Sequence, residues 1–324
     1  MNQSEVIIIR PFLEDEFAKI MRQRGYKCFV LYKQQNRFLL RTLRRLWDKL
    51  KLPFKSVWYD KAILKCNANE IVIFDALCTV DYINWLKKHK SNSDIVFWYW
   101  NIIQHAISPD LIPKDVCRKW SFSRIDCLKY GMRFNPLPYF KEIQFPEKEK
   151  KYDIIFVGRD KGRLSTLLKL KSEFESLGLT TKFVIAPTYR YNKNPAYSKP
   201  ISYMESVKLG TQSRAILDYI EIDDSGQSLR VVEALFLHEK IITNSKLIFD
   251  YDFYCPENIF VLGHDDISTL PDFLAVPYKQ VPDEVIMKYD FDSVIERFFD
   301  ETRSEFDEML DQLKEKMDIN DQET

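Results

Sequence analysis

Short apolar runs alternate with stretches of helical spacing along almost the whole chain, and this alternation restricts the fold more than any other feature. Val6–Ile9, Cys28–Tyr32, Ile71–Phe74 and Ile95–Trp100 are continuous rather than alternating in polarity, as strands covered on both faces are. Between them, Glu14–Arg24, Arg37–Leu50 and Val80–Lys90 place their apolar residues at helical intervals. Strand–helix–strand alternation of this kind builds a mostly parallel sheet. The pattern breaks at 135–151, NPLPYFKEIQFPEKEKK, where three prolines and a charge run read as a linker. It then restarts, with Asp153–Val157, Thr181–Ala186, Ala215–Tyr219 and Lys240–Thr243 as strands and Leu164–Leu177, Tyr203–Leu209 and Ser228–Leu237 as helices. The expected organisation is two α/β domains, 1–145 and 146–282, followed by an acidic helix and tail, 283–324. In the tail, apolar residues from Ile295 to Leu313 form one helical stripe over Asp292–Lys316.

Several classes are set aside by composition. No apolar run approaches the roughly 20 residues needed to cross a bilayer. MNQSEVIIIRPF reads as a first strand rather than a signal peptide, having no basic region ahead of its apolar stretch. Six cysteines without a C-x-x-C pair and four scattered histidines suggest neither a zinc site nor a disulfide scaffold, and the thiols read as reduced, in a cytosolic protein. The 48 basic and 48 acidic side chains cancel overall but are unevenly placed. Residues 1–150 hold 27 Lys and Arg against 16 Asp and Glu, whereas 283–324 hold 15 acidic against 5 basic residues. A basic first half calls for an anionic partner, and the acidic tail has the sign to dock back onto it.

Two segments carry the chemistry. In YDIIFVGRDKGRL, 152–164, a strand runs into Gly158, and Arg159, Lys161 and Arg163 crowd the turn before a helix. Glycine lets backbone approach a ligand, and cations with helix N-terminal amides suit a phosphate or diphosphate; a solvated basic turn would look the same. In ILDYIEIDDSGQSLRVVEALFLHEKIIT, 216–243, a polar loop with Gly226 and Gln227 leads into a helix that Ser228 caps. The amides of Ser228, Leu229 and Arg230 would face a ligand at the strand ends. Glu233, about one and a half turns into that helix among apolar neighbours, suits a sugar diol.

Together, FVGRDKGR and SGQSLRVVEALFLHEKIIT resemble the donor-binding domain of GT-B glycosyltransferases, most nearly those building bacterial lipopolysaccharide or capsule. The likeness rests on Gly226, Leu229, Glu233, Ala234 and the Ile241–Thr243 strand over roughly residues 150–262. It departs at Ser225, where many retaining members carry an acid. The resemblance implies two Rossmann-type parallel-sheet domains facing a cleft, with a C-terminal helix crossing back to the first domain. It also implies a metal-independent, hexosyltransferase-type enzyme without a cofactor, using a nucleotide-sugar donor and a lipid-linked or surface glycan acceptor. Gly158, Arg159, Lys161, Arg163, Gly226, Gln227, Ser228, Leu229 and Arg230 would hold the donor diphosphate, and Glu233 the ribose.

An inverting transferase needs a base at a strand end of the first domain. Asp75 is the leading candidate; Glu14, Asp15, Glu16 and His105 also qualify by position, although each has the look of a turn or capping residue. Residues 33–61, with Arg37, Arg41, Arg44, Arg45, Lys49 and Lys51 among leucines and Trp47, read as a basic amphipathic helix. It suits an anionic membrane surface on the cytoplasmic face, or else a core-packed helix with a basic outer face. No nucleic-acid module accompanies the charge. Asp250-Tyr251-Asp252 and His264-Asp265-Asp266 read as loop residues rather than ligand sets, Trp98 to Trp100 as buried strand-end aromatics, and Pro187–Tyr191 as a nucleobase contact. A sugar-nucleotide 2-epimerase, or a non-catalytic membrane-surface scaffold of the same fold, remains open on these residues.

Overall fold

The structure, a computed structural model, describes residues 2–33, 38–50, 52–146, 148–189, 191–220 and 227–323. The chain forms two compact units, one made of Met1–Pro136 with Val294–Thr324 and the other of Leu137–Ser293. Unit 2 thus opens inside the proline-rich 135–151 stretch.

In unit 1, strands β1 (Val6–Arg10), β2 (Lys27–Val30), β3 (Glu70–Phe74), β4 (Asp94–Tyr99), β5 (Arg118–Ser121) and β6 (Arg133–Phe134) alternate with helices α1 (Glu16–Gln23), α2 (Phe38–Lys49), α3 (Val80–His89) and α4 (Arg124–Tyr130). The sheet order is β2-β1-β3-β4-β5-β6, all parallel, with Ile8, Val72, Val96 and Arg118 aligned across it. Ile7, Ile8, Ile9, Ile71, Val72 and Ile73 are fully buried, as the continuous apolar runs predict for a sheet covered on both faces. Because the chain leaves β1 for β2 on one side and returns for β3 on the other, the order reverses between β1 and β3.

Unit 2 repeats the scheme. Strands β7 (Tyr152–Arg159), β8 (Thr181–Ala186), β9 (Ser213–Asp218), β10 (Lys240–Thr243) and β11 (Ile259–Val261) form a parallel sheet in the order β11-β10-β9-β7-β8, with Ile155, Ile216, Ile241 and Ile259 in line. Its helices are α5 (Leu164–Ser176), α6 (Tyr203–Gly210), α7 (Leu229–Leu237), α8 (Leu270–Ala275) and α9 (Asp283–Met287). Here the order reverses between β7 and β9, and in open α/β sheets ligands bind outside the strand carboxyl ends at such a point.

The tail differs from the single helix read over Asp292–Lys316. It forms α10 (Phe291–Phe299) and α11 (Glu305–Glu323). Between them Asp300 accepts from the Thr302 amide, Asp307 accepts from the Ser304 amide, and Arg133 donates to the Asp300 and Thr302 carbonyls. Those side chains satisfy backbone groups that a continuous helix would have paired internally. Residues 294 onward belong to unit 1, so the C-terminal segment does return to the first domain. Charge contributes through Arg133–Asp307 at 2.8 Å, a pair whose arginine side is one-third exposed and so is worth about 1 kcal/mol or less. Aromatic burial outweighs it. Phe298 meets Trp98 and Trp120 edge-on at 5.0 and 5.2 Å, and Phe306 meets Phe134 at 6.0 Å. Fully burying each such ring contributes about 2 kcal/mol or more.

Candidate functional site

At the β7–β9 reversal in unit 2, β7 ends on Phe156-Val157-Gly158-Arg159 and β9 on Asp218. Arg230, in the first turn of α7, reaches across both strand ends. Its Nη2 and Nε donate to the Val157 carbonyl at 2.8 and 3.2 Å, and its Nη1 to Asp218 Oδ1 at 3.1 Å. Gly158 makes room for it: a Cβ there would stand 2.5 Å from Arg230 Nη2. Arg163, from the turn after β7, donates to the carbonyls of Asp160, Arg159 and Tyr219, the last just beyond β9. Both guanidinium groups lie over the Phe156 ring, at 5.3 and 5.8 Å from its centroid. Two of the cations singled out by spacing therefore meet at the sheet's reversal.

The turn itself is held from the β8 side. Lys161 takes a left-handed conformation (φ 44°) and Gly162 another (φ 84°), which brings the Lys161 amide to Thr188 Oγ1 at 2.7 Å. Asp160, buried, accepts from the Thr188 amide and hydroxyl and from the Tyr197 hydroxyl at 2.9 Å. Burial alone would raise its pKa, but these donors hold the carboxyl below its usual range. Arg159 is exposed and donates to the Pro187 and Thr188 carbonyls at 3.0 and 3.3 Å, so its guanidinium lies beside the 187–200 loop and Arg230 holds the β9 side. In that loop Tyr189 and Tyr191 stack at 5.3 Å with planes 5° apart, both exposed.

Ser228 caps α7, its hydroxyl accepting from the Arg230 amide at 3.1 Å. Of the three amides expected to face a ligand, Arg230's is therefore already engaged. Leu229 is the first helical residue. Gln227 is 2% exposed; its backbone amide donates to the Tyr251 hydroxyl, and among the described residues neither polar atom of its side chain has a partner. Gly226 and Ser225 lie outside the described residues.

Glu233 is 6% exposed on α7. Its Oε2 accepts from the Tyr203 hydroxyl at 2.7 Å, and Tyr203 lies 2.8 Å from the Tyr139 hydroxyl. Burial pushes the Glu233 carboxyl up to about 7, against the opposing pull of the Tyr203 hydroxyl and the Arg230 charge.

In unit 1, Asp75 follows β3 at its carboxyl end and is 2% exposed. Its Oδ1 accepts from the Trp100 amide at 3.0 Å, and the Asn101 amide group donates to both oxygens at 3.3 and 3.1 Å. Burial pushes its carboxyl up to about 6 despite these donors, close to where a general base works at neutral pH. Of the other candidates, Asp15 caps α1 and forms a two-point pair with Arg10 at 2.8 and 2.7 Å, Glu16 pairs with Lys19, and His105 is exposed in a short 3-10 turn. Trp98 and Tyr99 are fully buried, as strand-end aromatics. Asp252 is occupied by Lys288 and Tyr289, Asp265 by the Val261 amide, and Asp266 caps a 3-10 turn. Among the described residues no group of three or more His, Cys, Asp or Glu is placed to hold a metal ion.

No protein-family model matches the chain, and no curated protein matches it. Among solved structures it is similar to HepE from Anabaena in complex with UDP and glucose, at TM-score 0.52 and 9% identity over 91% of this chain and 98% of that one. It is likewise similar to sucrose-phosphate synthase from Thermosynechococcus elongatus, at TM-score 0.57 and 10% identity over 90% and 96%. Its fold is that of the GT-B glycosyltransferases. In this fold the residues to which spacing gave no role are the anchors: Asp218 beneath Arg230, Asp160 and Thr188 beneath the basic turn, Tyr203 beside Glu233. Asp218 left a trace as an acid closing an apolar strand run, and Thr188 lay within the Pro187–Tyr191 stretch read as a nucleobase contact.

Proposed function

We propose that the protein transfers a sugar from a nucleotide-diphosphate sugar to a hydroxyl of a lipid-linked or surface glycan. The carrying observation is the pair of guanidinium groups, Arg163 and Arg230, fixed over Phe156 where the order of the second sheet reverses, with Gly158 opening the space between backbone and Arg230. As the glycosidic bond to the diphosphate breaks, negative charge grows on the leaving oxygen and positive charge on the sugar. Preorganised cations and the start of α7 lower the free energy of that separation. In this reading Arg159 and Lys161 complete the diphosphate site, Glu233 takes the ribose diol with Oε1 while Tyr203 holds Oε2, and Tyr189 and Tyr191 offer their faces to the base. The leaving charge is met by guanidinium and amide groups rather than by a metal. Asp75 accepts the proton of the acceptor hydroxyl. The setting we assign is the cytoplasmic face of a membrane bearing lipopolysaccharide or capsule precursors, a reading supported by the basic first half and by six free cysteines.

A screen of nucleotide sugars for thermal stabilisation tests this. A bound donor at a hundred times its Kd adds about 2.7 kcal/mol and raises Tm, and Arg230→Ala removes the effect. Stabilisation by none of the common nucleotide sugars refutes the proposal. An epimerised sugar nucleotide formed without any acceptor turns the same site into an isomerase.

A further inference from the structure

Helix α2 shows its leucines to solvent. Leu39, Leu43, Leu46 and Leu50 are between 45% and 79% exposed, and at 100° per residue they share an arc of about 60° on one side of the helix. Phe54, in a left-handed turn four residues beyond Leu50, is a further exposed apolar side chain at 78%. The contacts with unit 1 are made by other residues. The Arg44 guanidinium stacks on the Tyr32 ring at 4.0 Å and pairs with Asp48, while Trp47 meets Trp58 edge-on at 5.9 Å and donates to the Pro53 carbonyl. An ordinary core-packed helix would turn its leucines inward; here Leu40 alone is half-buried and the other four face out. Arg45 and Lys49 are exposed on one flank of the stripe; Arg37 and Lys51, and the Arg41 side chain, lie outside what the structure describes.

We infer that the outward leucine stripe of α2 is a membrane-surface anchor: it lies in the plane of an anionic bilayer, leucines and Phe54 among the acyl chains and Arg45 and Lys49 at the headgroups. No described helix is long and apolar enough to span a membrane, so the contact is interfacial. A second copy of the chain suits this face poorly. The single acid of α2, Asp48, is already paired with Arg44, so α2 of a second copy has no further acid to offer Arg45 and Lys49, whereas anionic headgroups do. The inference gives the membrane part of the proposed function a physical location and rests on that reading for its purpose, whereas its evidence is independent of the donor site.

The test is co-sedimentation of the full chain with vesicles of equimolar phosphatidylcholine and phosphatidylglycerol, and with phosphatidylcholine alone, no nucleotide being present. The protein should bind the anionic vesicles and stay in solution with the neutral ones. Leu43→Ser with Leu46→Ser should lower the partition coefficient more than tenfold. Each of Arg45→Ser and Lys49→Ser should lower it about fivefold, from roughly 1 kcal/mol per cation near an anionic surface. These exposed positions leave the fold intact, which unchanged nucleotide-sugar stabilisation of the leucine variant would confirm. The inference is overturned if wild type ignores anionic vesicles, if the leucine variant binds them equally well, or if wild type is a dimer that the leucine variant converts to monomer. Vesicle binding by a chain that no nucleotide sugar stabilises would uphold the anchor while removing the transferase reading.

Discussion

Replacing Gly158 by alanine puts a methyl group where the Arg230 guanidinium now passes, 2.5 Å from Nη2 and 3.2 Å from the Phe156 ring. The backbone at 158 is not left-handed, so the clash falls on the end of a flexible side chain and the strand itself is spared. Arg230 must withdraw from Asp218 and the Val157 carbonyl. Hydrogen bonds to charged groups contribute about 1.5–3 kcal/mol. The Asp218 side chain is 1% exposed while that of Arg230 is 28% exposed, which discounts the pair from the figure for full burial. Arg230→Ala should therefore destabilise unit 2 by about 2–3 kcal/mol, and Gly158→Ala, which displaces the guanidinium without deleting it, by about 1–2 kcal/mol. In the Arg230→Ala background the obstruction is gone, and alanine at 158 should be neutral or slightly stabilising through the unfolded chain. A double-mutant cycle by urea unfolding should thus show a coupling of about 1 kcal/mol or more, with loss of nucleotide-sugar binding in all three variants by calorimetry. Additive stabilities, or a Gly158→Ala protein that binds donors as wild type does, would refute the reasoning.

Glu233 makes stability depend on pH. Its folded pKa of about 7 lies above the unfolded value, so the native state holds the extra proton and stability falls as pH rises from about 4.5 to about 7, by about 3 kcal/mol in total. Glu233→Gln should flatten that limb in denaturant titrations across the range. Asp75→Asn should lower transfer turnover at least a hundredfold while leaving donor affinity within about twofold, since Asp75 and the proposed diphosphate site belong to different units; an equal loss of donor binding would refute its assignment as base. Phe298→Ala, which strips the Trp98 and Trp120 contacts, should destabilise unit 1 by about 3–4 kcal/mol in chemical denaturation, against about 1 kcal/mol for Arg133→Ala.

What could be read from the residues follows the physics of each element. Strands buried on both faces declare themselves as apolar runs, which is why β1, β3, β4 and β10 were legible to within a residue. By contrast β5, RKWS, and β6, only two residues long, carry no such run; they are strands because β4 and then β5 supply the pairing edge. The tail's stripe was legible, but the break at 300–304 depends on Arg133, more than 160 residues earlier. At the site, cations before a helix were visible from spacing. That Gly158 exists to admit Arg230, 72 positions away, and that Glu233 shares its proton environment with Tyr203 and Tyr139, required the fold. The amphipathic character of α2 was plain, whereas the direction its leucines face was not.

Unit 1 is built from both ends of the chain and unit 2 from one uninterrupted stretch, and that difference orders events during synthesis. By the time Ser293 leaves the ribosome the later sheet has every residue it needs. The earlier one still waits, with Trp98, Trp120 and Phe134 uncovered, until Phe298 and Phe306 emerge. The domain begun first is finished last, and a message cut short after residue 293 would yield a complete second unit attached to an open aromatic wound.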